Sequence, residues 1–273
     1  MKKKIAFVHN AMWEMYNFRG ELLQELKAKG YEITVICPPD EKNAHYFTDL
    51  GIKLLTVPMS RKGTNIKEDV QLVKNLFKVY KKEKFDLVFH YTIKPNIYGT
   101  LAAKLAGIKS IAITTGLGYV FLHNNITSLI AKFMYKFSLA FANEVWFLND
   151  DDMNIFLDKD LITERQAFKL PSEGINTKRF VPKEKNRKDS KTVFLMIARV
   201  LYDKGFNEYL EAAKLIKAQR NDVEFQLLGA IDSGNPSGVP QSVVEDAVSN
   251  GFINYLGTTS DVLPIIREAD CMV

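Results

Sequence analysis

The sequence predicts an α/β protein of two units, each with a parallel sheet whose strands alternate with helices. Short runs that are apolar on both faces alternate with longer segments of helical periodicity, which is typical of a parallel sheet covered by helices. This alternation breaks in a polar stretch after Pro171 and then starts again. The 273 residues, 47% of them hydrophobic, are enough to form two cores.

The first series of elements lies before Pro171. Its predicted strands are 5–8, 33–37, 53–57, 87–89, 110–113 and 144–148, and its predicted helices are 18–29, 66–83, 95–106 and 127–141. The acidic triplet 150–152 follows the sixth strand. We interpret it as the start of a helix, because the helix dipole stabilises carboxylates there.

The second series starts after the charged cluster KEKNRKDSK. Its predicted strands are 192–198, 223–229, 254–256 and a last one from 271, and its predicted helices are 206–218, 243–250 and 262–268. The expected organisation is a first Rossmann-like domain 1–175, a linker 176–191 and a partial second domain 192–273. Because the last strand has barely begun at Val273, we expect an N-terminal fragment with an incomplete second domain.

Composition narrows the function class. No glycine lies between Met1 and Arg19, so the GxGxxG fingerprint of NAD enzymes is missing after the first strand. No run is long and apolar enough to span a membrane, and two cysteines without a framework favour a reducing, cytoplasmic location. The net charge of +5 is concentrated in the first unit. This favours phosphates or an anionic membrane surface, with a solvated lysine-rich surface as the alternative; we expect no nucleic-acid partner.

The strongest functional signal is a pair of cations between a strand and a helix of the second unit. Arg199 directly follows the apolar run 193–198, and Lys204 precedes the next helix. Ligands bind at the carboxyl ends of parallel strands, where helix N-termini favour anions. An Arg fork and a Lys point charge suit a diphosphate, with a surface salt bridge as the alternative. Because the sequence has no HxxxH pattern and no Cys/His cluster, and we interpret its acidic triplet 150–152 as a helix start, we expect a metal-free site in which both cations act as catalytic groups.

Residues after other strands and at the domain junction are candidates for the remaining contacts to a nucleotide. Gly229 would let the backbone approach a diphosphate or ribose, and Gly257, Thr258 and Thr259 would offer amides and hydroxyls to a nucleobase. Glu173, in the junction SEGIN, would reach a cleft between the domains or cap a turn.

Acceptor contacts are predicted after the first, fourth and fifth strands. Aromatic and polar groups suit a sugar or a lipid phosphate, a lysine before a helix-initiating proline suits a phosphate, and a hydroxyl beside a glycine suits a sugar. The candidates are Asn10, Tyr16, Asn17, Arg19, His90, Lys94, Thr115 and Gly116. The alternatives are a role as core or staple residues for Trp13 and Phe18 and a packed or hydrogen-bonded role for His90.

The helix predicted over 127–141 is apolar with basic edges. Its apolar residues are Ile126, Leu129, Ile130, Phe133, Met134, Phe137 and Phe141, with Lys132 and Lys136 on another face. The preferred interpretation is a core helix. The alternative is a peripheral membrane contact, with 119–123 as its edge.

Several segments taken in order resemble glycosyltransferase family 4, whose members have the GT-B fold of two Rossmann-like domains facing a cleft. They are SEGIN, IARVLYDKG, LLGA and YLGTTSDVLPIIREADCMV, and the resemblance spans nearly the whole chain. The segments YNFRG, HYTIKPNIYGTLAAKLAG, TTGLGYVF and LPSEGIN are most similar to bacterial transferases that extend undecaprenyl-diphosphate-linked sugars. Those include N-acetylgalactosaminyl- and galactosyltransferases of glycan, capsule and O-antigen assembly.

The resemblance implies retaining, metal-independent transfer from a UDP-sugar to a lipid-linked acceptor at the inner face of the cell membrane, with no cofactor. Arg199 and Lys204 match the family's diphosphate-binding pair, and 257–259 match its base-contacting strand end. The family's donor-binding glutamate pair would lie after Val273, so we expect little activity from this chain alone. The alternatives are a UDP-N-acetylglucosamine 2-epimerase and a non-catalytic module that binds a sugar nucleotide or a partner.

Overall fold

The computed structural model describes residues 2–60, 65–117, 121, 126–182 and 190–273. The chain divides into two compact units, Met1–Gly174 and Ile175–Val273. Each unit has a parallel sheet and its own hydrophobic core. The predicted fold class of two α/β units with parallel sheets is therefore confirmed.

Unit 1 contains a seven-stranded sheet with the order β3-β2-β1-β4-β5-β6-β7. Its strands are β1 Lys4–Val8, β2 Glu32–Cys37, β3 Lys53–Thr56, β4 Leu87–Tyr91, β5 Lys109–Thr114, β6 Glu144–Phe147 and β7 Ala167–Lys169. Its described helices are α1 Met12–Ala28, α2 His45–Asp49, α3 Ile66–Glu83, α4 Thr100–Ala106, α5 Ile126–Leu139 and α6 Asp150–Asp158, with a π-helical turn Pro95–Gly99 leading into α4. Strand order reverses between β1 and β4, which is where open sheets of this kind bind ligands.

The sheet of unit 1 is buried on both faces because its strands are apolar at successive positions. In β1, Phe7 packs on one face in a cluster with Met15 of α1, and Val8 packs on the other in a cluster with Leu76 of α3. This alternation follows from the two-residue repeat of a strand. Helices on both faces leave the carboxyl ends of the strands as the accessible edge for a site.

Unit 2 contains a four-stranded sheet with the order β10-β9-β8-β11. Its strands are β8 Thr192–Ile197, β9 Val223–Leu228, β10 Asn254–Tyr255 and β11 Cys271–Met272. Its helices are α7 Phe206–Lys217, α8 Gln241–Ser249 and α9 Leu263–Glu268, and a 3-10 turn Tyr202–Lys204 joins β8 to α7. Phe206 and Tyr209 of α7 belong to the same buried cluster as Phe225 of β9.

Helix α1 differs from the prediction, because it begins at Met12 rather than at residue 18. Met12, Met15, Arg19 and Leu23 are its buried face, at the spacing of a helix. Arg19 interrupts this apolar pattern in the sequence, which hid the first turns. The short strand β7 was also not predicted. Of the predicted linker, 183–189 lie outside the described residues.

Helix α5 turns the opposite face to the core from the one expected, so the core interpretation is wrong for four residues of its apolar stripe, although Met134 is partly buried against the core. Its buried side chains are Ser128, Tyr135, Ser138 and Leu139. The small serines allow close packing against the π-helical turn and α4. The residues with exposed apolar side chains are Leu129 (62%), Ile130 (54%), Phe133 (69%) and Phe137 (51%). Of the predicted edge 119–123, only Phe121 is described.

Candidate functional site

The cation-bearing turn of unit 2 is braced by the loop that follows β9. Val200 forms a parallel bridge with Ile231, and Leu201 forms an antiparallel bridge with Gly238. The backbone amide of Tyr202 donates to the Ser237 carbonyl at 2.8 Å, and the amide of Asp203 donates to Ser237 Oγ at 2.9 Å. The turn that carries Arg199 and Lys204 is therefore held in place by hydrogen bonds before any ligand arrives. Sequence reasoning missed Ser237, because nothing in its local pattern indicates this contact.

Arg199 and Lys204 lie on either side of this turn with their charges accessible. The Arg199 side chain is 56% exposed, and its Nη1 lies 3.3 Å from Asp232 Oδ2. An ion pair this exposed contributes little to stability and leaves most of the guanidinium available. Lys204 is exposed, and its ammonium has no ion pair within the described ranges. Gly205, at φ 85°, starts α7, so the helix N-terminus adds amides favourable to an anion.

Gly229 lets the carboxyl ends of β8 and β9 approach more closely than any side chain would allow. A Cβ on Gly229 would lie 1.7 Å from the Ala198 carbonyl oxygen, which is backbone and has no alternative rotamer. The Gly229 amide donates to the Gly257 carbonyl at 2.8 Å, and Gly257 adopts φ 71° with open space at its missing Cβ. This edge of unit 2 therefore presents backbone without a side chain at Gly229 and Gly257, next to the turn that carries Arg199 and Lys204.

The two threonines of this edge differ in what they offer a ligand. Thr258 is exposed. Thr259 is also exposed, but its hydroxyl accepts from the Asp261 amide at 3.1 Å and donates to the Asp261 carbonyl at 3.0 Å. The Thr259 hydroxyl is therefore engaged in a local turn.

Arg19 and Glu173, predicted as acceptor and donor contacts respectively, are paired with each other inside unit 1. Arg19 is 5% exposed, and its Nη2 donates a charge-assisted hydrogen bond to Glu173 Oε1. Its guanidinium also stacks over the Tyr91 ring, 4.0 Å from the centroid. Burial raises the pKa of Tyr91 to about 12, while the Arg19 charge opposes that shift. The turn at the junction is capped by Ser172 Oγ, which accepts from the Gly174 amide at 2.8 Å.

His90 is not placed to contact an acceptor, so this candidate is corrected. The ring is fully buried, with Tyr80 Oη 2.9 Å from Nε2 and Thr100 Oγ1 3.3 Å from Nδ1. Burial lowers the pKa of His90 to about 3, so the ring is neutral near pH 7. We assign Tyr80 as the donor to Nε2. A Cβ at Gly99 would lie 2.6 Å from this ring, so the π-helical turn needs glycine there.

Lys94 also differs from the expected phosphate contact. It is 8% exposed, and its ammonium donates to Asp69 Oδ1 and to Ser60 Oγ, both at 2.7 Å. Tyr98 Oη donates to the other Asp69 oxygen at 2.8 Å. The Lys94 charge is therefore already balanced by a carboxylate. Asp69 was missed because it lies in the first turn of α3, where an acidic residue is explained by the helix dipole alone.

The other acceptor candidates are spread along the carboxyl edge and α1. Asn10 is half-buried directly after β1, whereas Thr115 and Gly116 are exposed directly after β5. Asn17 is exposed on α1, and Tyr16 stacks on the Tyr46 ring with centroids 4.0 Å apart. Trp13 (38% exposed) and Phe18 (60% exposed) lie outside the core and contact each other edge to face. Core packing, the alternative for these two aromatic residues, is wrong.

Two threonines lie at the carboxyl ends of the neighbouring strands β4 and β5, and sequence reasoning did not single out the first of them, Thr92. Thr92 directly follows Tyr91, the ladder partner of Ile113, and Thr114 directly follows Ile113. Both hydroxyls are buried, and neither has a hydrogen-bond partner in the described part of the chain. Thr92 adopts φ 69°, which is strained for a β-branched residue and is a feature common at functional sites. No sequence signal marks that backbone conformation.

Neither a metal-binding cluster nor a membrane-spanning helix occurs among the described residues. No group of three or more His, Cys, Asp or Glu side chains there is arranged to hold a metal ion. None of the helices in the described ranges has the length and apolar character to cross a bilayer.

Two parallel-sheet units, one carrying a cation pair at its carboxyl edge, are the architecture of GT-B glycosyltransferases. Residues 4–149 match the family model described as glycosyl transferase 4-like. The chain belongs to this glycosyltransferase family, as its motifs indicated.

Two curated relatives are similar along most of this chain. In an alignment of 289 positions that covers 99% of this chain and 73% of the relative, it is 30% identical to the N,N'-diacetylbacillosaminyl-diphospho-undecaprenol alpha-1,3-N-acetylgalactosaminyltransferase of Campylobacter jejuni. In an alignment of 256 positions that covers 89% of this chain and 65% of the relative, it is 26% identical to the UDP-Gal:alpha-D-GlcNAc-diphosphoundecaprenol alpha-1,3-galactosyltransferase of Escherichia coli. Both relatives are glycosyl-transfer enzymes.

A solved structure shows the same fold. Anabaena HepE, crystallised with UDP and glucose, superposes with a TM-score of 0.71 at 14% identity over 99% of this chain and 73% of its own. The predicted GT-B fold is therefore confirmed.

Proposed function

We propose that this protein transfers a sugar from a UDP-sugar to an acceptor sugar linked to polyprenyl diphosphate, in capsule, O-antigen or other glycan assembly. The observation that carries the proposal is the braced turn with accessible Arg199 and Lys204 at the bare carboxyl edge of unit 2. The names of the two relatives support it, since both include an undecaprenol diphosphate carrier and one includes UDP-Gal.

In the proposed mechanism the diphosphate of the donor binds to the cation turn. An acceptor hydroxyl attacks the anomeric carbon from the face on which the phosphate leaves and passes its proton to the departing β-phosphate oxygen, while the bond from that carbon to this oxygen breaks and UDP leaves. Negative charge grows on the leaving phosphate, where Arg199 and Lys204 neutralise it. A preorganised, charged hydrogen-bonding side chain of this kind contributes about 3–4 kcal/mol to transition-state stabilisation. We propose that these fixed charges make a divalent ion unnecessary and that transfer retains the anomeric configuration.

The geometry of the same edge supports our proposal for the remaining contacts to the sugar donor. The backbone at Gly229 would lie under the diphosphate or ribose, since a side chain there is sterically forbidden. Gly257 and the exposed Thr258 would contact the base. In unit 1, Asn10, Asn17, Thr115 and Gly116 remain the proposed acceptor contacts. Arg19 and Glu173 would support that site as a buried pair rather than as separate ligand contacts.

A transfer assay on the full-length protein with radiolabelled UDP-sugars and an undecaprenyl-diphosphate-linked N-acetylglucosamine acceptor tests this function. We expect label in the lipid product, equal yield after chelation of divalent ions, and an α-linkage by NMR. Interconversion of the UDP-sugar without a lipid acceptor would instead establish the 2-epimerase alternative. Binding of a UDP-sugar without any turnover would support the non-catalytic module.

We further propose that α5 attaches the protein peripherally to the inner face of the cell membrane. Leu129, Ile130, Phe133 and Phe137 form an exposed apolar face, and Lys136 is exposed beside it. The segment 124–142 contains no acidic residue, so anionic lipid headgroups would be attracted rather than repelled. A lipid-linked acceptor would be reached from this position without a membrane-spanning helix.

Replacing Phe133 and Phe137 together with serine is expected to weaken binding to vesicles containing phosphatidylglycerol. Burying a phenylalanine is worth about 1.5–3 kcal/mol, so the loss should be at least tenfold per residue. The matched control is Leu215→Ser, which removes another exposed apolar residue, in unit 2. Vesicle co-sedimentation at low and high salt measures the effect. Equal binding by both variants would contradict the assignment of this face.

A further inference from the structure

Unit 1 contains a pocket of about 360 Å³ beside the first turns of α3, just after β3. Its lining includes Met59, Ser60, Asp69, Asn75 and Lys94. Ligand pockets are roughly 300–1,000 Å³, so this one is the size for a single small ligand. It lies at the carboxyl edge of the sheet, where ligands of α/β proteins bind.

The polar groups of the pocket keep unused hydrogen-bonding capacity of both kinds. The Lys94 ammonium has three donors and uses two of them, on Asp69 and Ser60. Ser60 Oγ accepts from Lys94, and its own hydrogen meets no acceptor among the described residues. The Asp69 oxygens accept from Lys94 and Tyr98 and each keep a further lone pair. Donors and acceptors interleaved in this way match hydroxyl groups, which both donate and accept.

The charges of the described lining are balanced. Lys67 and Lys94 supply two positive charges, and Glu68 and Asp69 supply two negative ones. A phosphate would be attracted by the lysines and repelled by the carboxylates, whereas an uncharged ligand would not be repelled by either. The side chains of Met59 and Leu72 add apolar contact area in the same wall. Apolar area beside hydroxyl-binding groups suits the C–H face and the hydroxyl edge of a sugar ring.

We infer that this pocket is a subsite for an uncharged sugar ring and that Lys94 and Asp69 together bind its hydroxyls. This reverses the sequence-based expectation that Lys94 contacts a phosphate. Its identity as part of the acceptor site rests on the proposed function: the ring would be a sugar of the lipid-linked acceptor glycan. Binding of a sugar in the pocket does not depend on catalysis and is measurable separately.

The test combines a blocking variant, a mild variant and a matched control. Asn75→Tyr fills the pocket without altering the Lys94–Asp69 pair, and Ser60→Ala removes one hydroxyl. Lys78→Tyr introduces the same side chain three residues further along α3, at an exposed position outside the pocket. Saturation-transfer NMR with methyl glycosides of N-acetylglucosamine, N-acetylgalactosamine and galactose reports binding, with inorganic pyrophosphate as competitor.

We expect at least one glycoside to bind, about tenfold weaker binding to Ser60→Ala, no binding to Asn75→Tyr and unchanged binding to Lys78→Tyr. Pyrophosphate should not displace the sugar. Displacement by pyrophosphate, binding that Asn75→Tyr leaves unchanged, or no saturation transfer from any glycoside would overturn the inference. If the sugar binds as expected but no lipid-linked acceptor is glycosylated, the subsite stands and the proposed function falls. If transfer occurs and Asn75→Tyr leaves the acceptor KM unchanged, the subsite falls and the function stands.

Discussion

Replacing Arg199 or Lys204 with alanine in the full-length protein is expected to lower the rate of sugar transfer by about 100-fold or more. Both side chains extend from a turn that is already hydrogen-bonded into place, so they are positioned before the diphosphate gains charge. The loss should appear in kcat as well as in kcat/KM, because the charge on the leaving phosphate is larger in the transition state than in the bound donor.

Two further variants distinguish a diphosphate site from a general effect of charge. Arg220→Ala removes another exposed guanidinium of unit 2, paired with Asp222 at the amino edge of the sheet, and should leave the rate unchanged. Arg199→Lys keeps the charge but loses the planar fork, so its rate should fall between wild type and Arg199→Ala. Near wild-type rates in both alanine variants would show that the diphosphate binds elsewhere.

Gly229→Ala is expected to destabilise unit 2 by about 3 kcal/mol or more and to abolish binding of UDP. The new Cβ would lie 1.7 Å from the Ala198 carbonyl oxygen, at a φ of +156° that L side chains rarely adopt. Because the obstructing atom is backbone, the ends of β8 and β9 would have to separate. That movement would displace Arg199, which directly follows β8 and Ala198.

Gly234→Ala is the matched control, since it lies in the loop after the same strand. Its Cβ would meet only Asp232 Oδ1, at an ordinary 3.8 Å. We expect its free energy of unfolding to stay within about 1 kcal/mol of wild type. Urea denaturation followed by circular dichroism measures both variants. Equal stability of the two would contradict the steric role assigned to Gly229.

Much of the fold follows from local patterns that the sequence displays directly. Helix α3 spans Ile66–Glu83, the predicted bounds, because the Asn65 side chain caps its start and Lys84 adopts a left-handed conformation at its end. The start of α1 was missed for the opposite reason. Arg19 is a charge in a buried stripe, and only its partners Tyr91 and Glu173 make that position tolerable.

Periodicity alone cannot show whether the apolar face of helix α5 packs in the core. The stripe of Leu129, Phe133 and Phe137 identifies an apolar face but not what covers it, because protein core and lipid favour the same residues. The structure shows only that this face lies outside the core, because Ser128 and Ser138 on the opposite face are buried.

The candidate site was predictable where it depends on chain order and hidden where it depends on distant partners. Arg199 and Lys204 stand out because strand, turn and helix are consecutive. Asp69, 25 residues before Lys94, and Glu173, 154 residues after Arg19, change the chemistry of their partners without any local signal. We propose that Lys94 binds a sugar rather than a phosphate because Asp69, a distant residue in the sequence, already balances its charge.

The most direct test of the central assignment is a calorimetric titration of UDP into the wild-type protein and into the Arg199→Ala/Lys204→Ala double variant. The diphosphate site at the carboxyl edge of unit 2 predicts binding to wild type that weakens with salt, and an affinity lower by about 100-fold or more in the double variant. Equal UDP affinity in the two proteins would contradict it.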